Sequence, residues 1–279
     1  MVDCFSFLKM NSSSRFSEPP ATDKIDEVAD NELHLCAPTV LGYSFAAKMW
    51  GRLAANKFST IRWNKNAFDH LVLPETTKSL IKGLVDADRE NADIVNDVIS
   101  GKGGGCLIIL HGRPGTGKTL TAEAIAEERQ KPLMTVSIGE LSTDSAELEE
   151  RFTDILEISR LWKAVLLLDE ADVFLEARSA HELHRNALVA VLLRLLEYHQ
   201  RVMILTTNQV TCLDEAFKSR ISIGIKYRDL DKKGRRRIWE NFFALAGIKI
   251  VDTPIDVIVE GSVAKEEINK LASIKLNGR

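Results

Sequence analysis

Short, wholly apolar runs and longer stretches of helical spacing take turns through the middle of this chain. Leu107 to Leu110, Val165 to Leu168 and Val202 to Leu205 are apolar at every consecutive position, which is how a strand buried on both faces reads. The pattern predicts strands at 106–111, 133–137, 164–168, 202–207 and 221–227, separated by helices at 119–129, 145–162, 181–199 and 214–219. Strands alternating with helices in this order imply an α/β fold with a parallel sheet sandwiched by helices. Asp144 followed by Glu147 is a start signal for the second helix, and Leu188, Val191, Leu192, Leu195 and Leu196 form a core-facing stripe on the third. After Tyr227 the period changes to a helix over 232–246, a Gly247 stop, a Pro254 break and a last helix near 264–274, so a small helical lid is expected to follow the sheet.

Outside this alternation the chain divides further. Residues 1–35 are polar, with Ser12-Ser13-Ser14 and Pro19-Pro20, and read as a disordered tail. Short apolar and aromatic stretches over 36–62, including Val40-Leu41-Gly42-Tyr43, suggest strands that end a preceding module or form an arm. Helix is expected after Pro74, leading to the Gly101–Gly105 turn. The expected domains are therefore 63–228 for the α/β body and 229–279 for the lid.

Composition sets limits without naming a function. With 279 residues, 45% of them hydrophobic, there is room for one large domain and a small one. A formal charge of −3 gives no reason to expect a nucleic-acid partner. The basic cluster Lys232, Lys233, Arg235, Arg236 and Arg237 opens a helix and reads as a solvated face. Four cysteines with no C-x-x-C pair argue against a zinc site or disulfide scaffold and fit a reducing compartment. No apolar segment is long enough to span a bilayer and no signal peptide is evident, so an intracellular, soluble protein is expected.

Chemistry concentrates in Gly112-Arg113-Pro114-Gly115-Thr116-Gly117-Lys118-Thr119, a complete G-x-x-x-x-G-K-[ST] run between a strand and a helix. Glycines at 112, 115 and 117 let the backbone amides curl inward, and the following helix offers unpaired N–H groups to an anion. Lys118 would then reach the β- and γ-phosphates, and the Thr119 hydroxyl would coordinate Mg²⁺. A plain strand-to-helix turn needs none of these fixed residue types.

The strand ending in Asp169-Glu170 places two acids at the sheet edge where α/β folds bind ligands. Asp169 suits the hydrated Mg²⁺ and Glu170 the polarisation of an attacking water, although such a pair also serves as a helix N-cap. Asn208, after the strand at 202–207, would stand beside Glu170 and position that water; asparagine after a strand is also a common turn residue. Arg220 closes the short helix of Asp214 to Ser219, where a surface cation is equally at home.

The order of these motifs resembles the AAA-type ATPases, in particular a fungal group of AAA domain proteins. Ala67 to Pro74, Leu168 to Leu175 and Asp214 to Ile221 carry the likeness, which extends over roughly residues 35–279. The resemblance implies an oligomeric ATPase, a ring hexamer of identical chains, using ATP and Mg²⁺ to remodel an unknown protein substrate. It matches Lys118 and Thr119 to Walker A, Asp169 and Glu170 to Walker B, Asn208 to sensor 1, and Arg220 to an arginine finger reaching the neighbouring subunit. By the same likeness Gly112, Pro114, Gly115, Thr116, Gly117 and Leu120 contact the nucleotide and Arg279 is a sensor 2 arginine.

The chain departs from that pattern at several points. Arg113 replaces a more usual proline and is expected to face solvent. The stretch Ser137 to Asp144 lacks an aromatic, which argues against polypeptide threading. The lid reads as shortened, so a nucleotide-binding scaffold with little hydrolysis is the alternative. ATP over GTP rests on the likeness alone, since no N-K-x-D segment is present.

Overall fold

A computed structural model of the chain describes residue 10 and residues 36–91, 105–137, 139, 141, 144–175, 183–197, 199, 201–208, 215–252 and 261–275. By internal packing the chain falls into two units that divide between Arg62 and Trp63. In the first, β1 (Thr39–Ser44) and β2 (Met49–Ala54) form an antiparallel hairpin in which Tyr43 pairs with Trp50 across the strands, their rings edge to face.

The second unit begins with the helix expected after Pro74, α1 (Glu75–Asn91). Five parallel strands then follow: β3 (Leu107–His111), β4 (Leu133–Ser137), β5 (Val165–Asp169), β6 (Met203–Thr207) and β7 (Ile223–Lys226). They lie in the order β4-β5-β6-β3-β7. Interleaved are α2 (Lys118–Arg129), α3 (Ser145–Leu161), the one-turn α4 (Asp172–Leu175), α5 (Leu183–Glu197) and α6 (Glu215–Lys218). Each predicted strand and helix of this region is present, with ends shifted by one or two residues. The strand expected at 221–227 is shorter, but its flanks keep the ladder: Ser222 N donates to Leu107 O at 2.9 Å and Tyr227 N to His111 O at 2.7 Å.

The interior strand β3 explains the apolar runs. Ile108, Ile109 and Leu110 are all buried because β6 and β7 cover its edges and helices cover its faces. Burying each such side chain contributes roughly 1.5–3 kcal/mol, which keeps the strand inside the sheet rather than at its edge. Asp144 caps α3 as its spacing predicts, accepting from the Ala146 and Glu147 amides. On α5 the buried residues are Leu188, Val189, Leu192, Leu193 and Leu196.

Beyond the sheet lie α7 (Lys232–Leu245), a short parallel pair β8 (Lys249–Val251) and β9 (Ser262–Ala264), and α8 (Lys265–Ser273). The parallel pair is absent from the sequence reading, because three-residue strands carry no detectable period. Gly247, at φ 72°, ends α7 where the stop is expected, with Ile248 N reaching back to Phe243 O at 2.8 Å. The basic cluster at the start of α7 is partly structural: Arg235 donates to Ala272 O and Leu230 O, tying α7 to α8.

Candidate functional site

The nucleotide-loop candidate leaves the sheet between β6 and β7. Gly112 N donates to Thr207 O at 3.1 Å, and a Cβ on Gly112, at φ 153°, would sit 2.6 Å from Tyr227 O. Only glycine fits where two backbones approach this closely. Gly115 and Gly117 also take positive φ, 75° and 97°. Gly117 caps α2 without a side-chain hydrogen bond, so the first amides of that helix face the loop. Thr116 Oγ1 ties the loop to itself through Arg113 O at 2.8 Å. Arg113 points to solvent, as expected, and pairs with Asp229 across 3.1 Å.

Lys118 is buried in the mouth of this loop. Its Nζ donates to Gly112 O at 2.6 Å, to Arg113 O at 3.0 Å and to Asn208 Oδ1 at 3.0 Å. The ammonium is thus pre-set by three oxygens at the loop entrance. Thr119 Oγ1 lies 3.5 Å from Asp169 Oδ2, and Asp169 in turn accepts from the Thr206 hydroxyl. A hydroxyl beside a half-buried carboxylate is a hard-oxygen donor set, which fits Mg²⁺.

Glu170 follows with a left-handed backbone, φ 59°, held by its own N–H on Thr206 Oγ1 at 3.0 Å, and its side chain is exposed. That twist separates the two acids of the pair. Asn208 does come to the loop, but the carboxylate that holds it is Asp172 rather than Glu170. Asp172 Oδ1 accepts from Asn208 N at 2.8 Å and also from the Thr207 hydroxyl, while Asn208 Nδ2 approaches Oδ2 at 3.4 Å. The reason is topological. The chain turns directly from β5 into α4, which carries Asp172 across the end of β6.

Sequence reasoning missed Asp172, Thr206 and Thr207. Two threonines closing an otherwise apolar strand, opposite an acid three residues past Asp169, were the available signal.

Arg220 is not brought to the loop of its own chain. Its guanidinium donates to Ala216 O at 2.7 Å and is paired with Glu197 at the end of α5. Asp214 and Arg279 lie outside the described residues.

Beside Gly115–Gly117 a cavity of 440 Å³ opens between the 64–73 segment, α2 and α7. His70, Leu71, Val72, Leu120, Tyr227, Ile238 and Phe242 line it, with Asn64, Glu123, Glu127 and Asn241 as polar groups. Asn241 Nδ2 holds His70 O at 3.2 Å, so the last strip of wall is anchored by α7. This size suits a small-molecule ligand with an apolar, planar part. From sequence only the loop glycines, Thr116 and Leu120 of this lining were given a nucleotide contact, and the Ala67 to Pro74 stretch was noted for its likeness alone, because the three walls are far apart along the chain.

Local electrostatics favour an anion at the loop. Burial and the neighbouring Lys226 and Lys118 hold His111 below its usual imidazole range, keeping it neutral. On the cavity side, burial and then Glu127 raise Glu123 above the usual carboxylate range. Tyr227 hydrogen-bonds Thr121 across 2.5 Å and is pushed up to about 12 by burial, so it stays a phenol.

A parallel sheet with a glycine loop running from an interior strand into a helix, and an acid at the tip of another strand two places away, defines the P-loop nucleotide-binding fold. Residues 108–228 match the family model described as "ATPase family associated with various cellular activities (AAA)". Residues 108–228 thus form an AAA domain. The chain is 29% identical over 164 residues to a putative 26S proteasome regulatory subunit homolog of Methanothermobacter thermautotrophicus, covering 55% of this chain and 43% of that one. Against the ATP-dependent zinc metalloprotease FtsH 3 of Sphaerobacter thermophilus the identity is 32% over 158 residues, with 51% and 32% covered. An uncharacterized AAA domain-containing protein of Schizosaccharomyces pombe is 29% identical over 152 residues, with 48% and 20% covered. The alignments span less than half the length of each of these relatives. Among solved structures, the FIGL-1 AAA domain in complex with ADP shares the fold, with a TM-score of 0.52 at 22% identity over 70% of this chain and 65% of that chain. Among the described residues, no helix is long and apolar enough to cross a membrane.

Proposed function

We propose that the chain binds ATP with Mg²⁺ and hydrolyses it, and that turnover belongs to an assembly of identical chains which remodels a protein partner. The observation that carries this reading is the meeting of Lys118, Thr119, Asp169 and Asn208 at one mouth, from three separated stretches of sequence. In this reading the loop amides and Lys118 grip the phosphates, Thr119 and Asp169 hold the Mg²⁺, and the cavity walled by His70, Leu120 and Phe242 takes the base. Bound Mg²⁺ supplies charge neutralisation at the phosphates.

Glu170, exposed and turned away from Asp169, polarises the lytic water, and Asn208, aligned by Asp172, orients it. Arg220 acts on the nucleotide of a neighbouring subunit. Its position away from its own loop, on the pair with Glu197, supports a role in trans.

The test is phosphate release measured across protein concentrations. Specific activity should rise with concentration, and Glu170→Gln should keep ATP while releasing no phosphate. Arg220→Ala should lose turnover and regain part of it when mixed with Glu170→Gln chains, because each supplies what the other lacks. Nucleotide binding with no release by the unaltered chain at any concentration would leave a binding scaffold instead.

A further inference from the structure

A second cavity, 390 Å³, lies far along the chain's fold from the glycine loop, where α3 and α5 meet the segment that enters β6. Arg160, Leu156 and Glu157 of α3, Leu195 of α5, and His199 and Arg201 ahead of β6 line it. Its polar groups are unusual for a packing defect. His199 is buried with Nε2 lacking any hydrogen-bond partner, and Arg201, two residues on, has a buried Nε in the same condition. Neither the Arg160 nor the Arg201 guanidinium has a carboxylate partner among the described residues. Glu157 is already engaged by another group.

The Arg201 Nε–H is a buried donor without an acceptor, and it carries a desolvation penalty that an acceptor placed in the cavity removes. Burial drives the His199 imidazole down to about 4, so at neutral pH it is uncharged, its ring N–H engaged by backbone at Arg201 and Val202, and the two arginines supply the charge. The volume exceeds a bare oxyanion, and Leu156 and Leu195 form an apolar wall beside the cations.

We propose that this cavity binds a small organic anion, its oxyanion head held by Arg201 and Arg160 and its apolar body seated on Leu156 and Leu195. No residue of the nucleotide loop takes part. The site sits at the entry to β6, whose other end carries Asn208, and Gly105 ahead of β3 packs against the same segment, with a Cβ there only 2.4 Å from His199 O. The oxyanion can be a phosphate ester or a carboxylate, since both accept from guanidinium in the same way.

The experiment titrates phenyl phosphate and phenylacetate by calorimetry into the full chain held in excess ADP, so that the glycine loop is not the binding site. At least one probe should bind, with inorganic phosphate and benzyl alcohol each weaker by about tenfold or more, because each lacks half of the ligand. Which probe binds tighter identifies the head group. Arg201→Ala should weaken binding about tenfold or more while the affinity for ADP is unchanged. Should Arg201→Ala fail to fold, Arg160→Gln, at an exposed position, reads the same loss. Absence of binding by both probes, or binding that neither variant weakens, overturns the proposal. Loss of ADP binding by the unaltered chain sinks the nucleotide reading and leaves this one to be decided by the same titrations.

Discussion

The two ends of β3 and β6 are built alike in backbone and oppositely in polar chemistry. At each end a glycine meets a backbone too closely for a side chain: Gly112 against Tyr227, Gly105 against His199 and Arg201. At the Gly112 end the groups of the loop mouth satisfy one another, with Lys118 on three oxygens, Asp169 on Thr206 and Asn208 on Asp172, while His111 Nδ1 behind them is buried without a partner. At the Gly105 end His199 Nε2 and Arg201 Nε are buried without partners. A preorganised cluster costs little to keep and is ready for its ligand, whereas a buried donor such as Arg201 Nε stores a penalty that an acceptor relieves.

Substituting the two glycines should break the comparison most sharply. Gly112→Ala forces a Cβ into the Tyr227 backbone and should destabilise the fold by roughly 3 kcal/mol, abolishing nucleotide binding. Gly105→Ala should also lower the melting temperature, since its Cβ meets two carbonyls at 2.4 and 3.0 Å. Its folded fraction should nevertheless bind ADP within about threefold of the original, because the strand separates the two ends. Denaturant melts paired with ADP titrations check both.

Next in size is Lys118→Ala. Removing a charged donor from the loop should weaken ATP binding roughly 100-fold, read with a fluorescent nucleotide, and leave the opposite end's response to phenyl phosphate intact.

Acid should act mainly at the other end. His199 titrates near 4 when folded and near its usual 6.5 when unfolded, so the native state binds fewer protons between these values. Stability is therefore full above pH 6.5 and falls as pH drops toward 4, by on the order of 3 kcal/mol for this group. His199→Gln should flatten that part of the profile in denaturant melts at stepped pH.

The smallest effect is expected at Tyr227→Phe. Thr121 keeps its bond to Gly117 O, so only one hydrogen bond is lost and about 1 kcal/mol should follow, measurable as a small shift in the unfolding midpoint.

The sheet and the loop were legible in sequence because their signals are local. A strand buried on both faces must be apolar throughout, and a phosphate loop needs glycines at fixed spacing, so each can be read in a window of ten residues. What could not be read depends on which strands lie side by side. The expectation that Asn208 stands beside Glu170 gave no sign that a further acid would bond it. The left-handed turn at Glu170 and the immediate start of α4 bring Asp172 to Asn208. Arg220 shows the same limit: its type and position were clear, its pairing with Glu197 was not, because that partner is 23 residues away on another helix.

By itself the sequence determined the alternation of strands and helices, the phosphate-loop chemistry and the likeness to AAA domains, since period and motif spacing act over a few residues. Tertiary structure alone decided the strand order, the three-walled cavity beside the loop, the Asp172 clasp on Asn208 and the unpartnered nitrogens of His199 and Arg201. These arise where distant segments are pressed together by burial of the sheet, and no local pattern encodes a contact whose two halves are specified separately.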